Sequence, residues 1–582
     1  MHQKRLQLFS FLLLIIFLGL LGRLAHIQLI SVESFSKHNI NLITASIEQR
    51  TQSYIINNGR GTFIDRFYEP LQHNQKRALV IFPVIKTLVW PTQAVASILN
   101  TSPSTLLSQI EKEDQPFTYF KELSKEQMEK INQLKIPGMY ALVIDGEQKD
   151  TFAQHLIGST GLNFEELKNR YPEKVEKGIL MKDTKLGISG LEKAFDPFIV
   201  SEGEEKLVYH ADGYGGPLFG LSVKYAGPAN PFYPLKVRTT IDKSIQVIAE
   251  EAVDQEKIEH GGIVILDIET NDVLAMVSRP HFDESDPLGR GADNEVLKSH
   301  IPGSIFKTVI SAASIESGII SKDQLFNCNE NLYGEGQSQR ELGMLTFEES
   351  FAQSCNRTFA VLADEMIKKH KNIVEEYAEK LGIAKHVGWS GNVYHLDNFQ
   401  QLEGESHNQF WGSESDKNVS KAVGQTAIGQ LNVRLTPLAA ANMMATIARG
   451  GEKKQVRIVS ELVYKQGTTA IPFTAHSLQG EQITKQTAAI LQEMLRSVVT
   501  SKNGTGHRFV DLPYTIAGKS GTAQKQNKEK HNKWFAGFFP YENPKYAVVV
   551  FNLENNDSSV NNAFEKVVEL IYEYDRKTHP KT

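Results

Sequence analysis

Hydrophobic positions are distributed unevenly along this chain. Residues 6–22, LQLFSFLLLIIFLGLLG, form an uncharged run of 17 residues, with Lys4 and Arg5 before it and Arg23 after it. That length reaches the short limit for a helix crossing a bilayer. No small-x-small triplet lies near residues 22–30, so the run reads as an uncleaved signal anchor and not as a removed signal peptide. The basic residues in front of it keep the N-terminus cytoplasmic and place the chain from residue 23 on the opposite side.

Beyond the anchor the pattern changes. Residues 24–60 mix helical and extended signals, and Gly59–Leu71 reads as a loop entering a strand. Leu106, Leu107 and Ile110, then Leu123, Met128, Ile131 and Leu134, recur every three or four positions and predict helix within 102–135. Gly187–Ile199 suggests a turn followed by a helix. Tyr225–Pro234 holds three prolines and a glycine and marks a boundary between a front region and a C-terminal domain. After it, Asp242 can cap a helix through Gln255, and Gly261–Ser278 contains two β-rich runs split by Glu269–Asp272, a hairpin signal. Two further strand patterns, KWFAGFFP and Lys545–Glu554, precede a closing helix with Phe564, Val567, Val568 and Ile571 on one face. Strands at both ends and helices in the middle predict an α+β domain with a mainly antiparallel sheet.

Composition narrows the classes. At 582 residues the chain exceeds what one core serves. Its 41% apolar and 23% charged content is ordinary for globular domains, and a net charge of −5 argues against a nucleic-acid binder. Two cysteines, Cys328 and Cys355, exclude a disulfide scaffold and leave a single pairing open. No Cys/His cluster has metal spacing and no phosphate-binding glycine loop is present, so neither a metal nor a cofactor is expected; Gly213–Pro217 reads as a turn.

The chemistry lies in three short motifs. In SHIPGSIFKTVIS, Ser304 and Lys307 fall one turn apart at the start of an apolar helix. Helix N–H groups there stabilise a developing oxyanion, and a desolvated lysine can lose its proton and act as a base. The spacing alone is weak, since Ser-x-x-Lys arises by chance roughly twice in a chain of this size; Ser34–Lys37 is a second match, beside the membrane run with no apolar helix after it. Fifty residues on stands Ser354-Cys355-Asn356, and later Lys519-Ser520-Gly521-Thr522 ends an apolar run. A strand bearing a lysine, two hydroxyls and a glycine suits a carboxylate whose own backbone lies along it.

The three motifs together, in this order, resemble those of the penicillin-binding proteins, and more closely the single-span class B type. RGTFIDR, GISGLEKAFD, TTIDKSIQ, AVGQTAIGQLNVRLTPLAAANMMATIARGG and WFAGFFP extend the resemblance over essentially the whole chain. Three departures stand out: the family's Asp-Arg-Asn-Gly is Asp65-Arg66-Phe67-Tyr68, Ser520 replaces the commoner threonine, and the usual Arg-x-Tyr-Pro after IPG is replaced by Asp145–Asp150.

The resemblance implies residues 1–5 as a cytoplasmic tip, 6–22 as a transmembrane anchor in membrane lipid, 23–236 as a non-catalytic pedestal and 237–582 as the transpeptidase domain. It implies a serine D,D-transpeptidase that cross-links peptidoglycan stem peptides and is acylated by β-lactams, working beside a membrane glycosyltransferase. Ser304 would be the nucleophile, Lys307 its base, Ser354 a proton relay and Asn356 a positioning group. Lys519, Ser520, Gly521 and Thr522 would bind the terminal carboxylate, and the N–H groups of Ser304 and Ala523 would form the oxyanion hole. Cys355 would point into the core. The competing readings are a β-lactamase, a D,D-carboxypeptidase and a non-catalytic tethered scaffold. The interval 357–518 lacks the Glu-x-x-Leu-Asn loop of class A lactamases, and the front region lacks a glycosyltransferase motif.

Overall fold

The computed structural model describes residues 2–71, 75–119, 121–145, 152–201, 203–210, 223–227, 230–283, 286, 289–321, 323–524 and 530–578. The turn expected at Gly213–Pro217 and most of Asp145–Asp150 lie outside them. The apolar N-terminal run is a helix, α1 (His2–Ala25), and with the following turn it forms an apolar span over Gln3–Ile30 that is long enough to cross a membrane and has none of its surface buried. It is longer than the uncharged run because flanking polar residues extend the helix beyond the apolar core of the segment.

Backbone contacts gather the chain into two units, one made of residues 1–59, 73–147 and 202–231, the other of 60–72, 148–201 and 232–582. In the first, Thr51–Asn57 pairs with Glu205–His210, which pairs with Lys224–Ala226. A second sheet joins Phe117–Thr118, Gln75–Ile81 and Met139–Asp145. The helical stretch expected over 102–135 is two helices, Pro103–Lys112 and Lys125–Gln133, with the short strand between them. A Ser124/Gln127 capping box starts the second, and Leu106 and Ile110 of the first and Ile131 of the second share one core with Leu79 and Ile81.

The second unit is built on a five-stranded antiparallel sheet. Its strands are β1 (Gly261–Asp267), β2 (Val273–Arg279), β3 (Ala517–Gln524), β4 (His531–Phe539) and β5 (Tyr546–Asn552), in the order β2-β1-β5-β4-β3. Alternate residues enter different cores. Ile263, Ile265, Val548 and Val550 pack with Phe564 and Val567 of the closing helix, whereas Val264, Leu266, Val549 and Phe551 join the larger core. Burial on both faces explains why these strands read as continuous apolar runs. The expected Asp242 cap is present: its carboxylate accepts from Ser244 N–H and Ile245 N–H at 3.0 and 3.2 Å, opening α2 (Lys243–Gln255). The hairpin between β1 and β2 turns at Asn271, φ 62°.

Residues 60–72 and 148–201 belong to this unit through buried charge. Arg60 donates to Glu192 at 2.6 Å and to Asp196 at 2.8 Å, and Asp196 also accepts from Tyr171 O–H and Gly187 N–H at 2.8 and 2.7 Å. A guanidinium this well paired tolerates burial; losing one partner would leave a buried charge unmatched. The strand Thr62–Ile64 pairs in parallel with Lys236–Thr239. Tyr68 stands where the family pattern has glycine and takes φ 70°, a left-handed conformation costly for a bulky residue. The Arg238 guanidinium lies 4.1 Å from the Tyr68 ring centroid, and Arg238 ion-pairs with Glu461 at 2.7 Å, which supports that turn.

Candidate active site

Ser304 sits in a 3-10 turn, Gly303–Phe306, and Lys307 starts α3 (Lys307–Glu316). The helix therefore begins three residues later than the Ser-x-x-Lys pattern suggests, with a tighter turn carrying the hydroxyl. Ile305, Phe306, Val309 and Ile310 bury their side chains completely, which fixes the turn and leaves the Ser304 side chain half-exposed. Two glycines let this turn approach the sheet edge. A Cβ on Gly303, φ 60°, would come within 2.4 Å of Thr522 O, and one on Gly521 within 2.5 Å of Pro302 O.

Lys307 is fully buried, and its Nζ donates to Ser354 O at 3.0 Å, Ser354 Oγ at 3.1 Å and Asn356 Oδ1 at 2.7 Å. Ser354 adopts φ 59°, and its carbonyl also accepts from Arg340 at 3.1 Å. Burial first, then the positive charges of Lys519 and Arg340, push the Lys307 amine well below the ordinary lysine range. No carboxylate pairs with it among the described residues. The shift favours the uncharged amine, which lies beside the Ser354 hydroxyl.

Asn356 opens α4 (Asn356–Lys369), and Cys355 forms a disulfide with Cys328 across a separation of 27 residues. The pairing that sequence left open is thus a bond, and Cys355 is buried as expected. In the chain-entropy picture a loop of this length contributes ~3–4 kcal/mol. The Cys328→Ala/Cys355→Ala variant is expected to lose about that much unfolding free energy and so to unfold at a lower urea midpoint; equal midpoints would refute it.

The carboxylate motif lies on β3, the edge strand. Lys519 is fully buried, with Nζ 3.3 Å from Ser520 O, and burial together with Arg340 lowers its amine to about 7. Ser520 Oγ donates to Thr505 Oγ1 at 2.8 Å. The Gln430 carboxamide lies on the strand's open edge, with Nε2 donating to Thr522 O at 3.3 Å and Oε1 accepting from Gln524 N–H at 3.2 Å. Backbone groups alternate along a strand. If Thr522 and Gln524 face outward, the Ala523 amide turns toward β4, where Ala523 is paired with Asn532. The Ala523 amide, expected as the oxyanion donor, thus turns into the sheet, and the amide nitrogen that faces the Gly303 turn is that of Thr522.

Ser304, Ser354, Asn356, Ser520 and Thr522 line one cavity of about 620 Å³, with the two lysines buried behind its wall. Arg340, Thr505 and Gln430 line it too and were not anticipated. Arg340 lies in an irregular loop with no period to read, Thr505 sits between two glycines, and Gln430 follows a glycine with φ 69°. The last two carried a turn signal and nothing chemical. No cluster of three or more metal-ligating side chains occurs among the described residues.

Comparison with known proteins follows this geometry. A family model described as the penicillin binding protein transpeptidase domain matches residues 261–571, and one described as the penicillin-binding protein dimerisation domain matches 55–214. The chain is 28% identical over 393 residues to penicillin-binding protein PbpB of Mycolicibacterium smegmatis, covering 62% of this chain and 56% of that protein. It is 23% identical to stage V sporulation protein D of Bacillus subtilis, covering 94% of this chain and 81% of the relative. It is 22% identical to peptidoglycan D,D-transpeptidase FtsI of Buchnera aphidicola, covering 94% and 90%. A solved chain from work on polymerization and crosslinking by a peptidoglycan synthase complex shares the fold, with TM-score 0.67, 21% identity and 98% coverage of both chains.

Proposed function

Since the chain belongs to the penicillin-binding proteins that carry a transpeptidase domain, we propose that it is a membrane-anchored serine D,D-transpeptidase cross-linking peptidoglycan through D-Ala-D-Ala stem peptides. The observation that carries this reading is the single cavity onto which all three motifs open. Ser304 Oγ attacks the carbonyl of the penultimate D-Ala while the Lys307 amine takes its proton. The oxyanion is held by the N–H groups of Ser304 and Thr522. Ser354, already bonded to Lys307 Nζ, passes a proton to the departing D-Ala amine, and Asn356 keeps the lysine in register. Lys519, Ser520 and Thr522 hold the terminal carboxylate, and Gly521 lets the Pro302 turn lie against the strand. An amine from a neighbouring stem peptide then resolves the acyl-enzyme. A β-lactam acylates Ser304 by the same route.

In this reading the N-terminus is cytoplasmic, the catalytic unit is extracytoplasmic, and a membrane glycosyltransferase supplies the strands to be joined. The polymerization-and-crosslinking context of the solved relative supports that partnership. The division into a pedestal over 23–236 and a catalytic domain over 237–582 belongs to the same proposal, with residues 60–72 and 148–201 serving as part of the catalytic unit's foundation.

Incubation with a fluorescent penicillin tests the proposal. A stable covalent label is expected, located at Ser304 by peptide mass and absent from Ser304→Ala. Rapid turnover of the penicillin would point instead to a lactamase, and a folded protein that takes no label would point to a scaffold.

A further inference from the structure

One wall of the cavity is the loop 329–343, and its anchoring is unusually complete. Phe326–Asn327 pairs with Met344–Leu345, and the disulfide fixes Cys328 to Cys355. Asn329 Oδ1 accepts from Gly343 N–H at 2.7 Å, and Asn329 O accepts from Ser338 N–H at 2.7 Å. Arg340 rides on this frame, exposed to the cavity. Its Nη2 donates to Gln353 O at 3.0 Å and to Ser354 O at 3.1 Å, which aims the guanidinium; its other N–H donors meet no acceptor among the described residues. No carboxylate lies within ion-pair reach of Arg340, Lys307 or Lys519 among the described residues, and the acidic residue lining the cavity, Glu330, is paired with Arg357 at 3.1 Å. Arg340 is thus the exposed cation of this wall, with the Lys307 and Lys519 amines behind it and no unpaired carboxylate among the described lining residues.

We propose that Arg340 is a substrate-binding residue that takes a carboxylate of the stem peptide on its free guanidinium edge and so determines which stem peptides are accepted. The inference rests on the transpeptidase reading. A guanidinium aimed by two backbone carbonyls through Nη2 keeps its Nε and Nη1 hydrogens for a charge-assisted contact, and a carboxylate there meets a positive charge that no described carboxylate in the cavity neutralises. Two carboxylates of such a peptide qualify: the terminal one, shared with Lys519, or one carried on the side chain of an earlier residue.

Detergent-solubilised full-length protein distinguishes them. Release of the C-terminal residue is followed for the parent, Arg340→Gln and Arg340→Lys on three synthetic pentapeptides: one ending in D-Ala-D-Ala with both carboxylates free, one with the side-chain carboxylate as carboxamide, and one with the terminal carboxylate as carboxamide, which releases D-alaninamide. On the first peptide Arg340→Gln is expected to lower kcat/KM about 10- to 100-fold, mainly through KM, the range of one lost charge-assisted hydrogen bond. Arg340→Lys, which keeps a point charge without the fork, is expected to fall between. The loss should vanish on whichever amide peptide lacks the recognised carboxylate, and that peptide names the source. Equal losses on all three peptides, with a shifted pH profile, would show that Arg340 only supports Ser354 or the Lys307 charge and would overturn the proposal, as would no loss at all. Penicillin labelling of Ser304 in the parent is measured alongside; its absence would sink the transpeptidase reading itself, whereas labelling with an indifferent Arg340 would sink only this inference.

Discussion

Lys307→Gln is expected to acylate with penicillin about a thousandfold more slowly than the parent, within the 10²–10⁴ range for a positioned general base. The amine sits where no water reaches it and touches the Ser354 hydroxyl and the Asn356 carboxamide. Burial and the positive charges of Lys519 and Arg340 favour its uncharged form, the form that accepts a proton. The sign of the pH dependence follows. Acylation of the parent rises with pH as Lys307 loses its proton. For carboxylate-bearing peptides it falls again as Lys519, lowered to about 7 in the empty site, loses the charge that binds them. Stopped-flow acylation across pH 5–10 checks both limbs; a glutamine variant within tenfold of the parent, or a rate that falls steadily from low pH, would remove Lys307 from the role of base.

Lys519→Met is expected to abolish cross-linking and yet melt at a higher temperature than the parent. Lys519 is enclosed, lies over the Phe351 ring at 5.7 Å, and has one long hydrogen bond and no counter-ion among the described residues. Its folded amine is lowered to about 7, whereas an unfolded chain holds the proton until about 10.5. Above both values the group costs nothing. As pH falls between them the unfolded state gains a proton that the folded state resists, and below about 7 the penalty is complete, on the order of a few kcal/mol. Methionine fills similar volume without that penalty. Differential scanning calorimetry should therefore show a gain of several degrees at pH 6 that shrinks toward pH 10. A lower Tm at pH 6 would mean that the buried charge stabilises the fold. The expected trade of stability for binding is what a preorganised anion site requires.

How much of this could be read from the sequence depends on what each feature obeys. Regular periodicity announced the closing helix, the Asp242 cap and the hairpin, because each depends on local spacing and a turn residue. The motif residues stood out because three short motifs, each weak by itself, rarely coincide in one order. What escaped was set by distant contacts. Arg340 reaches the cavity only because a disulfide and Asn329 fold its loop back, and no local pattern encodes that. The proposed oxyanion donor moves from Ala523 to Thr522, since counting along a motif does not tell which amides point outward from an edge strand, whereas the Gln430 contacts do. The grouping of residues 60–72 and 148–201 with the catalytic unit depends on Arg60 meeting Glu192 and Asp196, more than 130 positions away.

The Gln430 carboxamide on β3 has a consequence for solubility. A bare strand margin invites any extended polypeptide, including a copy of itself, to stitch on. Here the amide oxygen and nitrogen of one side chain fill the two main-chain positions at the end where β3 leaves the sheet, much as a visiting peptide bond would. Random hydrogen-bonding partners are discouraged there, while a peptide already gripped by its carboxylate has the means to displace a single glutamine.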